Sequence, residues 1–130
     1  MEKLNVINPF TSKVISNIEL QSKKKGLELL NKAHTVHLKN PKGLDKSHRI
    51  KILDRFYILL KEKQKKLIQI SISEGGKPLC DTSVEMDRAL EGVKHCTQTI
   101  LAINGEMVPM NLNESSAKKL AFTQKSPIGV

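Results

Sequence analysis

The sequence predicts a mixed α+β chain, in the order strands, three helices, strands. Apolar and polar residues alternate at both ends, apolar residues recur every three to four positions between them, and breaks rich in Gly and Pro separate the helical stretches. Residues 4–20, LNVINPFTSKVISNIEL, place Val6 and Ile7 before Asn8-Pro9. Val14, Ile15, Ile18 and Leu20 follow Thr11-Ser12-Lys13, which is the pattern of a β-hairpin. Pro9 cannot donate to a strand ladder and belongs in the turn or at an edge.

Ser22 is the expected N-cap of a first helix carrying Leu27, Leu30 and Ala33, ended by Asn40-Pro41-Lys42-Gly43. Asp45 or Ser47 caps the second. Its stripe of Ile50, Leu53, Tyr57 and Leu60 is widened by Ile52, Phe56 and Leu59, and Leu67, Ile68 and Ile72 extend it to Ser73-Glu74. Gly75-Gly76-Lys77-Pro78 stops it, because paired glycines cost backbone entropy and proline cannot continue the hydrogen-bond ladder. The third helix runs from Asp81 or Thr82 to Ile103, with Met86, Leu90, Val93, Cys96, Ile100 and Ile103 as its stripe and Asn104-Gly105 as its stop. Arg88 and His95 fall seven residues apart on the opposite side of that helix. A second hairpin follows: GEMVPMNL, the polar turn NESSAK, and KLAFTQ leading into SPIGV.

A length of 130 residues suits one domain, and a compact chain of that size buries roughly two-thirds of its unfolded surface. The apolar content is 38%, with no Trp, one Tyr and three Phe. So few large side chains are available that some apolar faces are expected to need a partner. The net charge of +9 permits nucleic-acid binding. The lysines are nevertheless scattered outside Lys23-Lys24-Lys25 and Lys61 to Lys66, and the stacking aromatics of single-strand binders are missing, so solvated faces are expected instead. Cys80 and Cys96 form no CxxC pair and read as free buried thiols. No signal peptide is read, and no apolar run approaches the roughly 18 residues of a membrane span, so a reducing, cytoplasmic compartment is expected.

Little chemistry is visible in these residues alone. EGGKP lacks the wider glycine spacing and the Lys-Ser/Thr ending of a phosphate loop and reads as a helix terminator. His34 and His37 can share a helix face but have no further clustered ligand, so no metal site is assigned. Asp81, Glu85 and Arg88 have the spacing of a surface ion-pair ladder. A Ser-His-Asp grouping, a nucleophile elbow and a dinucleotide fingerprint are all absent from the sequence.

Five segments in order do carry a resemblance: VINPFTSKVI (6–15), RIKILDRFYILLKEKQKKLIQI (49–70), SEGGKPLCDTSVEMDRAL (73–90), NGEMVPM (104–110) and LAFTQKSPIGV (120–130). Together they resemble the aldehyde dehydrogenase superfamily. The resemblance implies a longer α/β parent, an NAD- or NADP-dependent enzyme that oxidises a small aldehyde to an acid and assembles as a homo-oligomer, a dimer or tetramer. Residues 1–130 would be the N-terminal portion of its cofactor-binding domain: the opening hairpin, a helical layer flanking a Rossmann-like sheet, and an oligomerisation arm over 105–126. The strand beginning at PIGV would lead into that sheet. Thiolate attack, hydride transfer and hydrolysis need a nucleophile, oxyanion donors and a base that converge. In the family these groups and the cofactor contacts lie beyond the position of Val130. Neither Cys80 nor Cys96 matches the nucleophile, so no catalytic or cofactor-binding residue is assigned, and the isolated chain is expected to bind no cofactor and to have no activity.

The resemblance also places the helix after GKP beside the substrate mouth. An arginine at the position of Arg88 resembles the branch that acts on phosphorylated or anionic aldehydes, such as the non-phosphorylating glyceraldehyde-3-phosphate and phosphonoacetaldehyde dehydrogenases. A guanidinium fork holds a phosphate or carboxylate through two bonds, which lysine cannot reproduce. His95, two turns along, would add a donor. The plain reading of Arg88 is a surface residue paired with Glu85 or Glu91. For the whole chain the alternatives are a stand-alone, self-associating interaction module that uses the arm strands, and a basic nucleic-acid-binding domain.

Overall fold

Asn8 organises the first turn. Its side-chain oxygen accepts from the amides of Phe10 and Thr11 at 3.0 and 2.9 Å, its backbone carbonyl accepts from Ser12, and its own amide donates to the Lys13 carbonyl. That network lets Ser12 adopt a left-handed φ of 56°. In this computed structural model, which describes residues 2–130, the turn joins β1 (Lys3–Ile7) to β2 (Val14–Glu19). The strands pair antiparallel from Lys3↔Glu19 to Ile7↔Val14, with an irregularity between Val6 and Ile7. Pro9 sits in the turn, as its missing amide requires.

Ser22 caps α1 (Lys23–Lys39) by accepting from the Lys25 amide at 3.2 Å. Asp45 caps α2 (Lys46–Glu62) by accepting from the His48 amide at 2.8 Å. The long second helix expected to reach Ser73-Glu74 is instead two helices, α2 and α3 (Gln64–Gly75), so the chain has four helices rather than three. The break is at Lys63, whose φ of −94° and ψ of 2° lie in the bridge region. It carries no Gly or Pro, and the apolar period runs through it in phase, so the sequence shows no sign of it. The break lets α2 and α3 pack against the same partner, α4 (Leu79–Ala102), and also against each other.

α3 ends at Gly76, which is left-handed at φ 64° and donates its amide to the Ile72 carbonyl at 2.9 Å. A Cβ there would lie 2.7 Å from Pro9 Cγ and 3.1 Å from Phe10 Cε2. The Asn8 side-chain amide donates to the Ser73 carbonyl at 2.9 Å. The NPF turn and the EGG turn, 65 positions apart, are therefore one docked unit that fixes the entry to α4. α4 starts at Leu79, earlier than the Asp81 or Thr82 expected. Pro78 occupies the N-cap position, where a missing amide costs nothing. Thr82 lies within the helix and donates its hydroxyl back to the Pro78 carbonyl at 2.8 Å.

α4 stops at Ala102, before the Asn104-Gly105 pair, and Asn104 donates its side-chain amide to the Leu101 carbonyl. Gly105 serves a different purpose. A Cβ on it would overlap the backbone carbonyl oxygen of Thr123. That close approach permits Thr123 N–H to bond the Glu106 carbonyl at 2.8 Å and Glu106 N–H to bond Thr123 Oγ1 at 2.9 Å. These bonds open the second hairpin, whose ladder is only β3 (Met107–Val108) against β4 (Ala121–Phe122).

Little of this is interior. Among the described residues the buried apolar side chains are Ile68, Leu90 and Ile100, and the buried polar one is Thr82. The accessible surface is 11013 Å², against about 6,900 Å² for a compact chain of this mass, so roughly half of the unfolded surface is buried, not the two-thirds expected. One helical layer with two separate hairpins has no second layer to close on. α1 buries none of its residues, and Leu27 and Leu30 stay exposed. The expectation of buried thiols fails for the same reason: Cys80 and Cys96 are both exposed.

Candidate functional site

α4 divides its residues between two faces. Thr82, Leu90 and Ile100 are buried, with Met86, Val93 and Thr97 half-buried beside them. At 100° per residue these point one way, and Arg88 and His95 point almost directly away. Both are exposed, and seven residues of helix separate them by about 10 Å. The structure therefore puts the two sequence-predicted site residues on one free ridge.

The docked turns position that ridge, and two contacts hold α4 to its neighbours. Gln64 donates to Asp87 Oδ1 at 2.9 Å, tying the start of α3 to the residue before Arg88. Lys94 Nζ lies 4.9 Å from the centre of the Tyr57 ring, tying α2 to the residue before His95. Neither contact was legible in the sequence, because both depend on how the helices cross. An aromatic in the α2 stripe was the one available hint.

The ion-pair ladder expected for Asp81, Glu85 and Arg88 does not form. Lys77 Nζ reaches Glu85 instead, at 2.7 and 2.8 Å to its two oxygens. Lys77 lies in the turn just before α4, so its stem folds back over the first turns of that helix. Glu85 is thus already neutralised. Arg88 makes no ion pair or hydrogen bond among the described residues, with Glu85 or with Glu91. At this exposure the Lys77–Glu85 pair is worth at most about 1 kcal/mol, and its significance is that Arg88 keeps its full fork for another partner.

The remaining candidates are not brought together. Cys96 lines an apolar groove of about 520 Å³ between α2 and α4, beside Ile52, Leu53, Ile100 and Ile103. Cys80 approaches only Asp81, at 3.6 Å. Neither thiol has a histidine within hydrogen-bond reach among the described residues. His34 and His37 join no group of three or more metal-capable side chains among those residues. The Gly75-Gly76 pair does not fit a dinucleotide phosphate, since the space a phosphate needs beside Gly76 is taken by Pro9 and Phe10. Among the described residues no helix is long and apolar enough to cross a membrane.

One carboxylate is strongly perturbed. The His48 amide holds Asp45 at a pKa of about 2, below its usual 3.8, with help from the Ser47 hydroxyl and the His48 ring. A depressed carboxylate stabilises the fold fully above its unfolded pKa and loses that contribution as pH falls through the folded value. The N-terminal turn of α2 is therefore expected to loosen between about pH 4 and pH 2. Amide exchange at residues 46–49 checks this, and Asp45→Ala should open the same turn at neutral pH and abolish the acid step.

Comparison with known proteins places this layer in a family. The profile described as "Aldehyde dehydrogenase family" matches residues 1–130. The lactaldehyde dehydrogenase of Methanocaldococcus jannaschii is 28% identical over 129 residues, which is 99% of this chain and 26% of the relative. The 3-sulfolactaldehyde dehydrogenase of Priestia megaterium gives the same identity and the same coverage of each chain. The chain thus spans about a quarter of the length of these curated relatives. The crystal structure of glyceraldehyde-3-phosphate dehydrogenase GapN from Methanocaldococcus jannaschii, complexed with NADP, superimposes with a TM-score of 0.77 at 27% identity, covering 85% of this chain and 24% of that one. With the profile matching this chain over residues 1–130 and 85% of the chain superimposing on a solved structure at 27% identity, the chain belongs to the aldehyde dehydrogenase family.

Proposed function

We propose that residues 1–130 form the N-terminal part of the cofactor-binding domain of an NAD(P)-dependent aldehyde dehydrogenase, a cytoplasmic homo-oligomer that oxidises an anionic aldehyde to the acid. The observation that carries this reading is the family match over the whole chain. The substrate class rests on Arg88, whose guanidinium is exposed on the ridge of α4 and unpaired among the described residues. Two of the similar proteins are named for aldehydes that bear a sulfonate or a phosphate, and a third for lactaldehyde, which is uncharged.

In this function Arg88 grips the anionic group through two parallel N–H···O bonds and so sets which end of the substrate faces the reacting centre. His95 adds a donor on the same ridge. Residues 105–126 serve as the arm that pairs protomers. The nicotinamide cofactor supplies the hydride acceptor, and its contacts are assigned to parts of the enzyme outside this segment. The 130-residue chain then holds no nucleophile for the aldehyde. Purified alone, it should reduce neither NAD nor NADP in the presence of phosphorylated aldehydes. Sustained turnover that survives repurification would overturn the assignment.

A second reading is favoured by one observation, the 11013 Å² of accessible surface. A self-associating module of the same family would cover part of it by pairing copies through the arm strands. Sedimentation of the isolated chain tests the module, and a monomer at high concentration removes it.

A further inference from the structure

Four cations converge on one cleft that the dehydrogenase reading does not use. Lys42 comes from the α1–α2 loop, Lys46 and Arg49 from the first turns of α2, and Lys125 from the segment before Pro127; together they line a cavity of about 500 Å³ whose apolar wall includes Leu44 and Ile103. The fold assembles this cleft from distant parts of the chain. Gly43, left-handed at φ 68°, admits Pro127, and a Cβ there would stand 3.3 Å from Pro127 Cγ. Lys46 Nζ is oriented by Asn104 Oδ1 at 2.8 Å, which leaves two of its three protons free.

The charges around this cleft are not balanced within it. Its one carboxylate, Asp45, is committed to the Ser47 hydroxyl and to the amide and ring of His48. Lys25 and Lys77 have glutamate partners elsewhere on the surface, whereas these four cations have no ion pair among the described residues. Like charges held around a common space repel, and an anion placed among them removes the repulsion while gaining charge-assisted hydrogen bonds. Arg49 contributes a fork matched to phosphate oxygens. The volume exceeds what a bare phosphate fills, and the Leu44 and Ile103 wall suits an organic group.

We propose that this cleft binds a phosphorylated small molecule, the phosphate among Lys42, Lys46, Arg49 and Lys125 and the organic part against Leu44 and Ile103. Arg88 does not line it, so the proposal stands apart from the substrate assignment. The test is calorimetric titration of the 130-residue chain at low salt with phenyl phosphate, inorganic phosphate and phenol. Phenyl phosphate should saturate one site, inorganic phosphate should bind more weakly, and phenol should not bind. Lys125→Gln and Lys42→Gln should each weaken phenyl phosphate by roughly fivefold or more, as should Arg49→Lys, which keeps the charge and loses the fork. Lys24→Gln, in the Lys23-Lys24-Lys25 run that does not line the cleft, should change nothing. Absence of saturation, equal affinity for inorganic phosphate, or an equal loss in Lys24→Gln and Lys125→Gln would overturn the site.

Discussion

If the proposed full-length aldehyde dehydrogenase carries this segment, replacing Arg88 by leucine in it is expected to lower kcat/KM for a phosphorylated aldehyde by about 10- to 100-fold, the size of a lost hydrogen-bonding interaction with a charged group. An uncharged aldehyde of the same length should be affected little. The contrast follows from where the side chain stands. Arg88 is exposed on the free ridge of α4, so leucine there leaves the packing of Leu90 and Ile100 intact, and the change removes only the fork. Arg88→Lys restores charge without the two-bond geometry and should recover only part of the loss. If kcat/KM for the phosphorylated aldehyde is unchanged in Arg88→Leu, the residue has no substrate role. His95→Ala should give a smaller loss on the same substrate, since it removes one donor rather than a charge.

Gly105→Ala should cost the protein its second hairpin. The new methyl group would overlap the Thr123 carbonyl oxygen, which is backbone and cannot swing away as a side chain would. Relief requires the chains to part, which breaks the bonds between Thr123 and Glu106 and then a ladder of only two residue pairs. Two-stranded hairpins are marginal alone, so the loss of these bonds should be complete rather than graded. Amide exchange at 106–108 and 121–123 should rise to the rate of an open chain while exchange in α2 and α4 stays slow. In an assembled enzyme the same substitution should weaken the oligomer if 105–126 is the arm. Unchanged protection at Thr123, whose amide bonds the Glu106 carbonyl, would show that the close approach at Gly105 is dispensable.

The two substitutions differ in how visible their sites were beforehand. Arg88 and His95 share a face because seven residues are close to two helical turns, and that geometry is contained in the sequence. Gly105 read as a helix stop, yet α4 ends without it, and its real constraint is a backbone 18 positions away. Gly76 read correctly as a terminator. Its second constraint, contact with Pro9 and Phe10, is a tertiary fact.

Local physics decided a good deal of this protein on its own. The caps at Ser22 and Asp45, the turn at Asn8, the apolar stripe of α2 and the ridge carrying Arg88 all follow from short-range spacing and backbone preference, and the structure has them where the residues placed them. Contacts between distant segments decided the rest. The break at Lys63 has no local signal, because helix periodicity passes through it and only the packing of α2 and α3 on one partner calls for it. Lys77 took Glu85 and left Arg88 free because of how the turn before α4 folds back. The thiols are exposed because a single layer encloses too little. Periodicity states which side of a helix is apolar, but whether that side becomes interior depends on a second surface, and only the tertiary structure shows where one is present.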